Sequence, residues 1–198
     1  NTTTEQKLIA QIQKLIVKEK IDVIVFEDYD KGCITPNLIK EIVVISKQKN
    51  IPTVVDPKKR NFLSYSGVTL FKPNLKELKE GLKLDFNHHN IAELEKTASL
   101  FIKKQKINTL LITLSEKGIY THSAKTKKQI PAHVRNISDV SGAGDTVVSV
   151  AALCTALNLN PILTATLSNL AGGLVCEKVG VVPIYKKQLL NEAEKLGL

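Results

Sequence analysis

The stretch DVSGAGDTVVSVAALCTAL, residues 139–157, decides how the chain is read. It opens with two glycines and an acid and runs directly into a helix that is apolar on nearly every side. A helix N-terminus offers unpaired backbone N–H groups and about half a positive charge, a ready seat for an anion. Gly142 and Gly144 carry no Cβ, so a ligand can come close to those groups. Donors fixed in this way stabilise charge developing on a transferring phosphoryl group. Asp145 faces the same point, where the helix dipole favours its carboxylate form, and it is placed to take the proton of a hydroxyl attacking phosphorus. The alternative is that Gly142 to Asp145 merely cap a buried helix. The chain has no GxxxxGK[ST] loop, and GAGDTV lacks the third glycine of a dinucleotide fingerprint.

Working outward, Leu8, Ile9, Ile12, Leu15 and Ile16 recur at helical spacing and predict an amphipathic helix over 4–19, capped by Thr4. DVIVF (22–26), PTVVD (52–56), VTLFKP (68–73) and NTLLITL (108–114) read as short, continuously apolar strands. Thr35-Pro36 opens a helix that runs to about Asn50, and NIAELEKTASLFIKKQK supplies another between the third and fourth strands. IYTHS and KKQIPAH read as a hairpin, which puts His122 and His133 in strands. Helices at 143–157, 161–178 and 185–197 complete the chain. Continuous apolar strands alternating with helices imply an α/β fold whose mostly parallel sheet is covered on both faces. Residues 1–198 read as a single domain, without repeats or linkers.

In open sheets of this kind, ligands collect beyond the carboxyl ends of the strands. Polar residues gather there: Asp28, Tyr29 and Lys31 after the first strand, Asp56 and Lys58 after the second, Asn74 and Glu77 after the third, and Ser115 and Gly118 after the fourth.

Composition narrows the function classes. A chain of 198 residues with 43% hydrophobic content can bury one sizeable core. Its apolar runs fall short of the roughly 18 residues a membrane span needs, and NTTTEQKLIAQIQKL is no secretory leader, so no membrane partner and a cytoplasmic location are expected. Cys33, Cys154 and Cys176 show no metal-like spacing and read as free thiols. His88 and His89 fall in a polar loop, and the four histidines form no zinc pattern. The net charge of +9 comes almost wholly from dispersed lysines, with Arg60 and Arg135 the only arginines. That dispersion argues against nucleic acid and for a solvated surface, with anionic small substrates as a second cause. No methionine occurs, so Asn1 is not expected to be a natural translation start.

In chain order stand FEDYDKG (26–32), VVDPKKRNF (54–62), LFKPNLKEL (70–78), TLSEKG (113–118), DVSGAGDT (139–146) and SNLAGGLVCEKVG (168–180). This series resembles the ribokinase/PfkB family of carbohydrate kinases. DVSGAGDT is similar to that family's C-terminal signature, KPNLKEL to its PN-x-x-E motif, and TLSEKG to its nucleotide-side turn. The DY-x-KG, VDPK and LAGGLV runs are similar to the heptose-7-phosphate kinase branch.

The resemblance implies a ribokinase-like three-layer α/β/α fold and an ATP- and Mg²⁺-dependent transfer to a sugar phosphate, heptose 7-phosphate foremost; the alternatives are a fructokinase, ribokinase or fructose-1-phosphate kinase, or a non-catalytic nucleotide-binding fragment. It makes Asp145 the base and the amides of Gly142, Ala143 and Gly144 the anion hole. Asn74 and Glu77 would organise Mg²⁺ and the phosphates, Glu77 through water, although Asn74 also suits a helix N-cap. Thr113, Ser115 and Gly118 would line the triphosphate, Ser115 otherwise belonging to a tight turn. Asn169 and Gly173, with Gly172, would lie near the adenine. Lys31, Lys58 and Arg60 would hold a substrate phosphate or form a solvated charge run, and Asp28 and Asp56 would bind sugar hydroxyls or cap turns. The family's sugar motif and small β-lid have no counterpart here, so the chain is expected to be roughly the last two thirds of a kinase. The full-length protein is a possible homodimer, and a fused nucleotidyltransferase domain is not in this chain.

Overall fold

Apolar strands need cover on both faces, and the computed structural model, which describes residues 2–85, 91–133 and 135–198, shows what covers them. In chain order the elements are α1 (Thr2–Lys18), β1 (Ile24–Glu27), α2 (Pro36–Gln48), β2 (Thr53–Asp56), β3 (Leu70–Phe71), α3 (Leu75–Leu82), α4 (Ile91–Gln105), β4 (Thr109–Thr113), β5 (Ile119–Ser123), β6 (Lys127–Ile130), α5 (Ala143–Ala156), α6 (Pro161–Val175) and α7 (Lys186–Lys195). The strands form one sheet in the order β1-β2-β3-β4-β5-β6. The first four run parallel, and β5 and β6 return antiparallel as the expected hairpin.

Side chains alternate across this sheet, as strand geometry requires. Val55, Phe71, Leu110 and Ile112 face one side and pack with Leu38, Ile39 and Ile42 of α2 and Leu94, Ala98 and Phe101 of α4. Val54, Leu70 and Leu111 face the other, against Val147, Val148, Ala151 and Ala152 of α5 and Ala165 of α6. The result is a three-layer α/β/α arrangement. The apolar character of α5 and α6 follows, because they pack on the sheet and on each other, and α7 then closes over α6.

Element ends obey local chemistry. Thr35 caps α2 as expected, accepting a bond from Leu38 N at 3.1 Å, with Pro36 at the first helical position. α1 begins at Thr2, so Thr4 lies in its first turn rather than at its cap. β3 keeps only two ladder residues because Pro73 has no N–H to donate. Pairing still continues through Lys72 N to Val55 O and Thr113 N to Pro73 O. His122 lies in β5, but β6 stops at Ile130 before Pro131, which leaves His133 beyond it. His88 and His89 lie outside the described residues. Cys154 and Cys176 are buried free thiols, and Cys33 is exposed. Among the described residues no helix is long and apolar enough to cross a membrane.

The parallel run of β1 to β4 brings four strand ends to one side of the molecule. Register sets Glu27 beside Asp56, and an isolated bridge sets Asn74 beside Thr113.

Candidate active site

The DVSGAGDT turn is built by its first acid. Asp139 Oδ1 accepts from Ser141 N at 3.0 Å and Ser141 Oγ at 2.8 Å, and Oδ2 accepts from Gly180 N at 2.9 Å. These bonds, the one from the Ser141 amide foremost, hold the Asp139 carboxyl below the usual carboxylate range. Gly142 then adopts φ 77°, and a Cβ there would stand 3.0 Å from Val181 Cγ1. Both conditions call for glycine.

The Ala143 amide donates to Val140 O at 3.2 Å, so it is spent inside the turn rather than offered to an anion. The helical ladder closes first at Thr146 N on Gly142 O, 2.9 Å. The amides of Gly144 and Asp145 precede that bond and are the ones an α-helix leaves open. The Asp145 side chain is exposed, and Tyr29 OH donates to its Oδ2 at 3.3 Å.

Beside this helix end lies a charged cluster. Oxygens of Glu27, Asp56 and Asp145 fall within 4.8 Å of one another. Lys72, only 3% exposed, pairs with Asp56 Oδ1 at 2.9 Å. Its ammonium also lies 3.7 Å from where a Cβ on Gly144 would be, directly beneath the open turn. Burial, then Asp56 and Asp145, push the Glu27 carboxyl up to about 7, against the pull of Lys72. Asp56 is also pushed up by burial, but Lys72 and Lys58 oppose the rise. Neither Glu27 nor Lys72 is among the residues that sequence reading selects. The available signal was a charge closing an otherwise apolar strand, as in VFE and LFK.

At the third strand end, Asn74 and Glu77 form a capping box: Glu77 N donates to Asn74 Oδ1 and Asn74 N to Glu77 Oε2, both at 2.8 Å. The N-cap reading of Asn74 is thus realised. Glu77 Oε1 meets Lys58 Nζ at 2.5 Å, and Lys58 also reaches to 4.0 Å from Asp56. Burial alone would lower the Lys58 ammonium, but Glu77 and Asp56 hold it above its ordinary value. Lys58 therefore ties the PN-x-x-E carboxylate to the Asp56 cluster. The all-oxygen group of Glu27, Asp56 and Asp145 suits Mg²⁺, a hard cation that retains several waters, and Glu77 stands outside it, linked through Lys58.

At the end of the fourth strand, Ser115 lies in a 3₁₀ turn (Ser115–Lys117) that joins β4 to β5, with φ 54°, and Thr113 ends β4. Gly118, at φ 85°, packs against the backbone of residues 130–132, where a Cβ would collide. Asn169 is buried and its Nδ2 donates to Pro131 O at 2.8 Å, tying α6 to the end of β6. Gly172 lets α6 approach Val147 of α5, while Gly173 faces the Arg135 side chain. Arg135 in turn binds Glu177 at 2.8 Å and Glu192 at 3.1 Å.

The residues expected at a sugar divide. Lys31 and Arg60 are exposed at the rim, with Arg60 Nε 2.9 Å from Asp30 Oδ1. Asp56 belongs to the charged cluster. Asp28 is only 4% exposed, and both its oxygens accept from protein donors, so it is not presented to a ligand.

Comparison with known proteins places this geometry. The model of the pfkB family carbohydrate kinases matches residues 3–187. The chain belongs to that family. A curated relative, Bifunctional protein HldE of Koribacter versatilis, is 34% identical over 196 residues, covering 96% of this chain and 40% of that protein. The chain thus spans about two fifths of the length of that pfkB relative. Among solved structures, phosphofructokinase-2 from Escherichia coli in complex with fructose-6-phosphate superposes with a TM-score of 0.79 at 15% identity, covering 96% of this chain and 61% of that one. Arabidopsis thaliana ribokinase complexed with ribose and ATP gives 0.75 at 15%, covering 91% and 58%. These likenesses establish the ribokinase-like fold of this pfkB chain.

Proposed function

We propose that this chain is the kinase domain of an enzyme that transfers the γ-phosphoryl of MgATP to a hydroxyl of a sugar phosphate, with heptose 7-phosphate as acceptor and heptose 1,7-bisphosphate as product. One observation carries the reading: an exposed carboxylate, Asp145, stands at an open helix N-terminus among the charged ends of three parallel strands. In the reaction, Asp145 takes the proton of the sugar hydroxyl as its oxygen bonds to phosphorus, and the bond from phosphorus to the bridging oxygen of ADP breaks. The Gly144 and Asp145 amides, with Lys72 beneath them, stabilise the charge on the phosphoryl oxygens in transit. Glu77, placed by Asn74 and Lys58, would hold Mg²⁺ through water, and the ion would offset phosphate charge.

On this reading the segments around Ser115, Gly118, Asn169 and Gly173 form the nucleotide side, with Thr113 at the junction. Arg60 and Lys31 are the rim cations that meet the acceptor's own phosphate, and Arg60 can do so with two parallel bonds. Lys58 serves Glu77 instead. The heptose assignment is supported by the relative named Bifunctional protein HldE and by the DY-x-KG and VDPK runs. The likeness to phosphofructokinase-2 favours one rival acceptor, a fructose phosphate.

The test is a panel of sugar phosphates incubated with the whole protein and MgATP, with products read by ³¹P NMR. A new anomeric phosphate on heptose 7-phosphate, at the highest kcat/KM of the panel, is expected. Preference for a fructose phosphate would transfer the assignment to the rival, and absence of transfer to any sugar phosphate would reject the sugar-phosphate acceptor.

A further inference from the structure

Residues 28–34 leave β1 as a loop, and buried side chains fix both of its ends. Asp28 Oδ1 accepts from Asp30 N at 2.8 Å, and Oδ2 accepts from Asn61 Nδ2 at 3.0 Å and Tyr65 OH at 2.8 Å. Asn61, 1% exposed, also donates from Nδ2 to Ile34 O at 2.9 Å, so one amide binds the start and the end of the loop. Burial and then Asp28 keep the Tyr65 phenol protonated, well above its ordinary range. A carboxylate this deeply enclosed by three donors is a structural fixture. Asp30 turns the chain at φ 56°, and Arg60 holds it from outside. Between these fixed points, Tyr29 is 57% exposed and reaches across 116 residues of sequence to Asp145 Oδ2.

A carboxylate accepts through two oxygens and otherwise rotates freely about its bond to the chain. A donor on one oxygen selects a rotamer and aims the other. We propose that Tyr29 is a positioning residue for phosphoryl transfer: it holds Asp145 by Oδ2 so that Oδ1 meets the acceptor hydroxyl, and the Asp28–Asn61–Tyr65 clamp holds Tyr29 in place. The inference rests on Asp145 being the base. Tyr29 neither gains nor loses a proton in the step; the hydroxyl proton passes to Asp145 Oδ1.

The test combines a spectroscopic and a kinetic measurement on the whole protein. With tyrosine labelled at ¹³Cζ, the resonance lost in Tyr29→Phe is expected to change its chemical shift in Asp145→Asn at neutral pH, as the carboxylate that accepts its hydrogen bond is removed. Tyr29→Phe is expected to lower kcat about fivefold, the loss of roughly one hydrogen bond, with the KM for ATP and the melting temperature unchanged. Tyr65→Phe, which keeps the ring and removes one bond to Asp28, is expected to lower kcat by a smaller factor. A Tyr29 resonance that ignores Asp145→Asn, or full kcat in Tyr29→Phe, would overturn the inference while leaving the kinase reading intact. A wild-type protein that shows the NMR coupling but phosphorylates no sugar phosphate would instead remove the base, and the role of Tyr29 with it.

Discussion

Two helices begin at the same end of the sheet, and they begin differently. α3 starts on Asn74, whose side chain and backbone are both bonded to Glu77, three residues on. α5 starts on Gly142, in a left-handed conformation with no side-chain cap. The first satisfies two of its amides, those of Asn74 and Glu77, from within, and its carboxylate is already held in place. The second leaves amides open and sets a charged acid on the first turn. At this end of the sheet the self-capped helix fixes a carboxylate in place, whereas the uncapped one leaves amides that a ligand or water must satisfy. Changes at α5 should therefore register in kcat, and changes at α3 in stability and in the affinity for MgATP.

The largest expected effect is that of Asp145→Asn in the whole protein. Loss of the base should lower kcat by ~10²–10⁴, while calorimetry finds MgATP binding within a few-fold of wild type. Gly142→Ala comes next. A Cβ there adopts a disfavoured φ and presses on Val181, so denaturant unfolding should show a loss of about 1–2 kcal/mol, and kcat should fall by more than that loss explains. At the self-capped end, Asn74→Ala should cost about 1 kcal/mol in the same unfolding measurement, and Asn74→Ser should restore most of it. If kcat rather than stability or the KM for MgATP carried the change at Asn74, the contrast between the helices would be lost.

The smallest effect concerns Glu27. Its folded-state carboxyl lies near 7 against an ordinary 4.5, so the folded protein holds a proton that the unfolded chain gives up. This group's contribution to stability is then present below about pH 4.5 and lost as pH rises through 7. In EDTA, the unfolding midpoint of Glu27→Gln should fall less than that of wild type across that interval. Parallel curves would place the proton elsewhere in the cluster.

Much of this was legible in the residues. Strand and helix periodicity yielded the parallel sheet, and Thr35-Pro36 marked the start of α2, because these signals are local. The glycine turn was legible for the same reason, since Gly142 meets a demand of its own backbone. What stayed hidden depends on contacts distant in sequence. Glu27 and Lys72 look like strand termini until register brings Glu27 beside Asp56 and packing sets Lys72 under Gly144. Asp28 reads as an acid after a strand that binds sugar hydroxyls or caps a turn; it caps the turn through Asp30 N, and Asn61 and Tyr65, more than thirty residues away, enclose it. Ala143 belongs to the glycine motif, but its amide is consumed by Val140, a detail of turn geometry that residue type does not encode.

The open end of α5 can be examined most directly by ¹⁵N NMR of the whole protein titrated with MgADP and aluminium fluoride, a mimic of the phosphoryl group in transit. The account predicts that the amide resonances of Gly144 and Asp145 shift strongly at saturation, with the Ala143 amide, already bonded, moving far less. Saturating binding that leaves the Gly144 and Asp145 amides unmoved would contradict it.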